Sequence, residues 1–131
     1  MPQHISAVTL LVPDYDAGIA FYVGKLGFAL VADTKLSPTK RWVLVAPPGS
    51  TETRLLLAKA DGAAQIARVG DQTGGRVALF LTTDDFARDH AAMTAKGVEF
   101  LEPPRQEAYG TVAVFRDPFG TTWDLIEPSA N

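Results

Sequence analysis

Apolar and polar positions along this chain fall into two runs of the same order. Residues 5–12 are mostly apolar and rich in Val, Ile and Thr, which predicts a strand. Pro13 and Asp14 break that run, and Asp14 offers a carboxylate as a helix N-cap. Ile19, Tyr22, Val23 and Leu26 then recur at helical spacing within residues 16–26, and Gly27 stops the helix where a positive φ is wanted. Residues 28–31, 41–46 and 54–58 read as three strands, the last two joined through Pro47, Pro48 and Gly49.

The order then repeats. Residues 77–82 predict a strand, Asp84 a cap, and residues 86–96 a helix stopped by Gly97. Residues 98–101, 111–116 and 121–126 predict three more strands, with Asp117, Pro118, Phe119 and Gly120 turning the chain before the last. At a shift of 70 positions Leu11 matches Leu81, Asp14 matches Asp84, Gly27 matches Gly97, Pro48 matches Pro118 and Leu55 matches Leu125. A repeat this long is a duplicated supersecondary module, not a solenoid unit. The expected fold is therefore α+β, one domain built of two tandem βαβββ modules at residues 1–58 and 76–131, with a linker at 59–75 holding one short helix. Each helix buries its apolar stripe on one face of its sheet, leaving the other face free to line a cavity.

Composition narrows the function classes. With 131 residues, 47% hydrophobic, the chain is long enough for a sizeable core. A net charge of −3 argues against nucleic acid and anionic membranes as partners, and no apolar run is long enough to span a bilayer. The first residues, Met-Pro-Gln-His, lack the basic start and apolar core of a secretory signal, so a cytoplasmic location is expected. The absence of cysteine excludes disulfides, thiolate metal sites and cysteine nucleophiles.

The stretch TLLVPDYDAGIAFYVGKLGF and the later FRDPFGTTWDLIEP resemble the two signature regions of the vicinal oxygen chelate superfamily, which includes glyoxalase I, extradiol dioxygenases, fosfomycin-resistance thiol transferases and bleomycin-resistance binding proteins. The resemblance spans nearly the whole chain. It implies a curved, cup-like mixed sheet with the helices outside, and two chains associated as a homodimer. It also implies where a divalent metal would sit, on imidazole and carboxylate groups from the first and fourth strands of the modules. Here the first-strand position falls on Ala7 in one module and on Arg76, Val77 or Ala78 in the other. The fourth strands offer Leu55 or Leu56, and Asp124. One carboxylate cannot hold a catalytic divalent cation, so no metal and no other cofactor is expected, a divalent ion being the alternative. His4 has the wrong strand parity to help, and His90 lies mid-helix, at an expected solvated position.

Strand alternation puts Asp124 with Thr122 and Ile126, opposite Trp123 and Leu125. It reads as a general base, a ligand-binding carboxylate, or one half of an ion pair with Arg54 or Arg76, Arg54 being its partner at the shift of 70. Trp42, beside Arg41 at the start of a strand, offers an aromatic wall with guanidinium groups near it for a flat or anionic ligand, with simple packing as the alternative. Tyr109, in a turn before Gly110, offers a phenol to a ligand oxygen or serves only as turn chemistry. Phe21, Tyr22 and Phe28 read as core, and the Asp117 to Gly120 turn as scaffold.

Two functions follow. The first is a metal-free small-molecule-binding protein that sequesters a hydrophobic or aromatic ligand through Trp42, Arg54, Arg76, Tyr109 and Asp124. The second is a diverged glyoxalase-like lyase or dioxygenase relative, with Asp124 as the surviving catalytic group.

Overall fold

The computed structural model describes residues 2–130, and the chain divides into two compact units at Val69 and Gly70. Unit 1 runs β1 (Ala7–Val12), α1 (Tyr15–Ile19) continuing as a π-helical segment (Ala20–Lys25), β2 (Ala29–Lys35), β3 (Arg41–Ala46), β4 (Arg54–Lys59) and the short α2 (Ala63–Ile66). Unit 2 runs β5 (Leu79–Thr82), α3 (Phe86–Ala95), β6 (Glu99–Phe100), β7 (Arg105–Glu107), β8 (Gly110–Arg116) and β9 (Thr122–Pro128).

The sheet of unit 1 has the order β1-β4-β3-β2, with β1 parallel to β4 and the other pairs antiparallel. Val12, Val43, Val45 and Leu57 are fully buried on its helix-covered face. Gly18 lets α1 approach that face, since a Cβ there would lie 3.2 Å from both Leu57 and Val12. In unit 2 the order is β5-β9-β8-β6, with β7 also paired to β8. Ala113, Phe115, Trp123 and Leu125 form the helix face and are buried with Phe86 and Met93 of α3.

The repeat holds in both units but its spacing is not constant. The true cap of α3 is Asp85, which accepts the Arg88 N–H at 3.0 Å, not Asp84, which pairs with the Arg88 guanidinium instead. Asp14 caps α1 by accepting the Ala17 N–H at 3.1 Å, so the caps lie 71 apart (85 less 14). The helix stops, Gly27 at φ 78° and Gly97 at φ 85°, lie 70 apart (97 less 27). Unit 1 therefore carries one extra helical residue, and it is absorbed as the π-turn closed by Leu26 N–H on the Phe21 carbonyl at 3.0 Å. The closing bonds agree: Phe28 N–H reaches back to Tyr22, whereas the matching Val98 N–H reaches one residue less far, to Met93.

Past the helix the β3 and β8 ends, Ala46 and Arg116, still differ by 70, but the β4 and β9 starts, Arg54 and Thr122, differ by 68. The shorter turn in unit 2 is tied by Asp117, whose carboxylate accepts the Phe119 and Thr121 N–H groups at 2.9 Å each. By sheet register the counterpart of Asp124 is consequently Leu56, not Arg54.

The segment after β6 was missed by hydrophobic pattern. Pro103 and Pro104 interrupt the strand, which resumes as β7 on the same neighbour. Glu102 fills the gap: its carboxylate accepts the Val114 N–H at 2.9 Å and both Nε contacts of Arg105 at 2.9 and 3.0 Å. The Arg105 bonds hold the Glu102 carboxyl below its ordinary value against the opposing effect of burial, with the Val114 N–H adding to the lowering. A carboxyl lowered on folding stabilises above its unfolded pKa, and that contribution is lost as pH falls through the folded value. Glu102→Gln is thus expected to destabilise unit 2 by about 1.5 kcal/mol at neutral pH, with the gap to the parent closing below about pH 4. Urea melts at neutral and acid pH check this, and a gap independent of pH would refute the charged role.

Candidate functional site

Unit 1 holds a cleft of about 600 Å³ at the end of its sheet, where β3 begins and β4 finishes. Strand register assigns its floor. Thr9 pairs with Leu56, and Leu56 with Leu44, so Thr9, Leu44 and Leu56 share the face away from α1 with Ala58 and Trp42. Thr9, Trp42, Leu56 and Ala58 line the cleft, as do Tyr15 and Ala60. Trp42 is 42% exposed, an indole that packing has left open to a guest. The sequence-predicted aromatic wall is therefore in a cavity.

The rim is polar and carries Thr39, Lys40, Arg41, Lys59, Asp61 and Gln65. Arg41 is not free for a ligand. Its guanidinium pairs with Asp33 at 2.8 Å and Asp16 at 2.9 Å and lies 5.2 Å from the centre of the Tyr15 ring. Those bonds, Asp33 first and Asp16 second, hold it more firmly protonated than an ordinary arginine. Arg41 thus fastens β2 and β3 to the start of α1.

The remaining predicted residues do not join Trp42. Arg54 pairs in register with Ala7, is half-buried, and has its Nε buried without a hydrogen-bond partner. Arg76 borders a small recess of unit 2 with Gly70, Thr73 and Thr122, where its carbonyl accepts the hydroxyls of Thr73 at 2.6 Å and Thr122 at 3.3 Å. Tyr109 is 54% exposed and hydrogen-bonds to Arg105, where it helps hold that guanidinium charged after Glu102.

Asp124 lies on the face of unit 2 away from α3, flanked by Phe80 of β5 and Val114 of β8. Its Oδ1 is buried without a hydrogen-bond partner, and within its own unit it makes no ion pair among the described residues, so the expected pairing with Arg76 is not made. Burial pushes its carboxyl above the ordinary carboxylate value, Arg105 pulls it back, and Glu102 adds to the rise. Arg105 thus bonds to Tyr109 and acts on Asp124 through its charge.

His90 is not solvated as expected. It is half-buried, its ring 5.4 Å from Phe86 and 4.2 Å from Phe100, within a ladder that continues through Phe115 to Trp123. His4 is exposed ahead of β1.

The metal positions can be read from the sheets. Ala7 is the first-strand position of unit 1, and at the cap spacing of 71 its counterpart is Ala78, whose N–H bonds the Thr122 carbonyl at 2.9 Å. The fourth strands place Leu56 and Asp124 at equivalent register. Of these four side chains only Asp124 carries a donor atom, and among the described residues no three His, Asp or Glu converge. These four positions do not supply the three or more donor side chains that a divalent cation takes from a protein.

Sequence reasoning missed Tyr15, Lys40 and Lys59 as cleft residues. Lys40 and Lys59 belong to a turn and a strand end, where no periodicity operates.

Comparison with known proteins agrees with the fold. Residues 4–125 match the Glyoxalase/Bleomycin resistance protein/Dioxygenase superfamily. A protein of Shewanella frigidimarina is 51% identical over 97% of this chain and 95% of its own length. Among solved structures, UcmS2 is 28% identical with a TM-score of 0.84, covering 96% of this chain and 98% of that one. TnmS3, described as an antibiotic binding protein from a Streptomyces species, is 31% identical with a TM-score of 0.78, covering 98% of each chain.

Proposed function

The chain belongs to the Glyoxalase/Bleomycin resistance protein/Dioxygenase superfamily, and within it we propose that this protein binds a small hydrophobic or aromatic molecule without a metal. The observation that carries the reading is the cleft of about 600 Å³ with Trp42, Leu56 and Ala58 on its floor. Its size suits a drug-sized guest, and its apolar floor with a few polar groups at the edge is the usual composition of such sites. The antibiotic binding described for TnmS3, similar over 98% of this chain, supports the same class of ligand. Ala7, Ala78 and Leu56 support the metal-free part, and elemental analysis of the purified protein tests it.

A thermal-shift screen of aromatic small molecules, followed by titration of the hits, tests the binding. Trp123 is buried at 3% exposure while Trp42 is open, so a guest in the cleft should quench Trp42 emission. Trp42→Ala is expected to weaken such a hit roughly tenfold. Unchanged affinity would move the ligand out of the cleft. A homodimeric state and a cytoplasmic location complete the reading, and light scattering and cell fractionation check them.

Asp124 supports a second reading, a diverged enzyme with this carboxylate as general base. Burial without a partner for Oδ1 raises its proton affinity, the direction that favours a general base. Against any substrate turned over, Asp124→Asn is expected to abolish turnover while raising stability at neutral pH by about 1 kcal/mol, because a half-buried carboxylate whose Oδ1 has no hydrogen-bond partner becomes neutral. Retained turnover would end the enzymatic reading.

A further inference from the structure

The whole chain carries a net charge of −3, yet the rim of the unit 1 cleft carries Lys40, Arg41 and Lys59 against the single carboxylate of Asp61. Arg41 is consumed by Asp16 and Asp33. Lys40 and Lys59 make no ion pair among the described residues. The backbone of Lys40 is nonetheless held firmly: its N–H donates to the Ser37 hydroxyl at 3.1 Å, and its carbonyl accepts from Leu36 at 2.8 Å and Ser37 at 3.1 Å. Lys59 is fixed by its place at the end of β4, in register with Val12. By alternation Lys40 lies on the same side as Trp42 and Lys59 on the opposite side of β4 from Ala58, and both residues line the cleft that holds the open indole.

On the reading that this cleft binds an aromatic guest, we propose that the guest is an aromatic anion, its ring against Trp42 and its carboxylate, sulfonate or phosphate taken by Lys40 and Lys59. Ammonium groups are strongly hydrated point charges on flexible stems, suited to an anionic group of any shape and not to one planar carboxylate. The cleft then selects for charge and flatness together.

The test uses two fluorescent probes that share one aromatic skeleton, anionic anilinonaphthalene sulfonate and neutral phenylnaphthylamine. Both are titrated into the full-length protein, its Lys40→Gln/Lys59→Gln variant and Trp42→Ala, with melting curves confirming that each variant folds. The expected result is that the double variant binds the anionic probe about fivefold more weakly and the neutral probe unchanged, and that added salt weakens only the former. Trp42→Ala should weaken both. Equal affinities in the parent, or equal losses of both probes in the double variant, would overturn the anion preference while leaving an aromatic cleft intact. Failure of Trp42→Ala to change either probe would instead sink the cleft reading itself, and the preference with it.

Discussion

Phe115→Ala is expected to cost about 4 kcal/mol of stability, the range for deleting a fully buried aromatic ring. Phe115 is 0% exposed, and its ring lies 5.7 Å from both Phe100 and Trp123, parallel to the indole within 15°. The cost combines the lost transfer of the ring from water with the cavity left between two neighbours that cannot both close on it. β8 and β9 are locked in seven consecutive register pairs, from Gly110↔Pro128 to Arg116↔Thr122, so the backbone has little freedom to collapse. A domain of this size has only about 5–15 kcal/mol to lose, so a large share of the total would go. Urea denaturation followed by Trp123 emission measures it. An unchanged slope with a lower midpoint is expected, and Phe115→Leu should recover more than half the loss. A cost under about 1 kcal/mol for the alanine would mean the ladder does not carry the fold of unit 2.

Gly110→Ala is expected to cost about 3 kcal/mol, through strain and not through lost surface. Gly110 adopts φ 150°, and a Cβ there would stand 2.2 Å from the Glu127 carbonyl oxygen. Neither side can yield cheaply, because Gly110 pairs with Glu107 on one side and Pro128 on the other. The hairpin of β7 and β8 carries Tyr109 at its tip, so opening it should also raise hydrogen exchange there. Thermal melting of the variant reads the cost directly. A melting temperature equal to the parent's would show that β9 gives way at its end without penalty.

Much of this fold was readable from residue order because β3, β4, β8 and β9 show their buried face by alternation, whereas β2 buries none of its seven residues. Residues 41–46 and 54–58 coincide with β3 and most of β4 for that reason. Gly27 and Gly97 announced both helix ends, since φ above 75° at those positions is costly for any other residue. What stayed hidden is local and short. Three residues of β7 after two prolines have no alternation to display. A single extra helical residue leaves the apolar stripe almost unchanged, so the π-turn leaves no mark on periodicity. Asp84 and Asp85 are chemically equivalent as caps, and only the Arg88 guanidinium and the strand length separate them.

The site was legible in part for the same physical reasons. Alternation placed Asp124 away from the helix, and Trp42 was marked as an aromatic side chain beside Arg41 at a predicted strand start, where the structure leaves it exposed. The assignment of Arg54 to Asp124 failed because a constant shift cannot register a turn that is two residues shorter in one copy. Lys40 and Lys59 were invisible because surface lysines are common, and their importance depends on which cavity they border.

The extra residue in the π-turn gives the first copy slack that the second lacks. Gly24 is exposed, with nothing near the place a Cβ would take. Excising it would convert the π-turn to a regular helix of the second copy's length without touching a single strand. The two copies thus differ in connector lengths and in the irregularity along β2 and along β6 and β7, while the last strand of each pairs with the first and third in the same register. Laboratory variation of this protein has its widest latitude where ancestry already spent it.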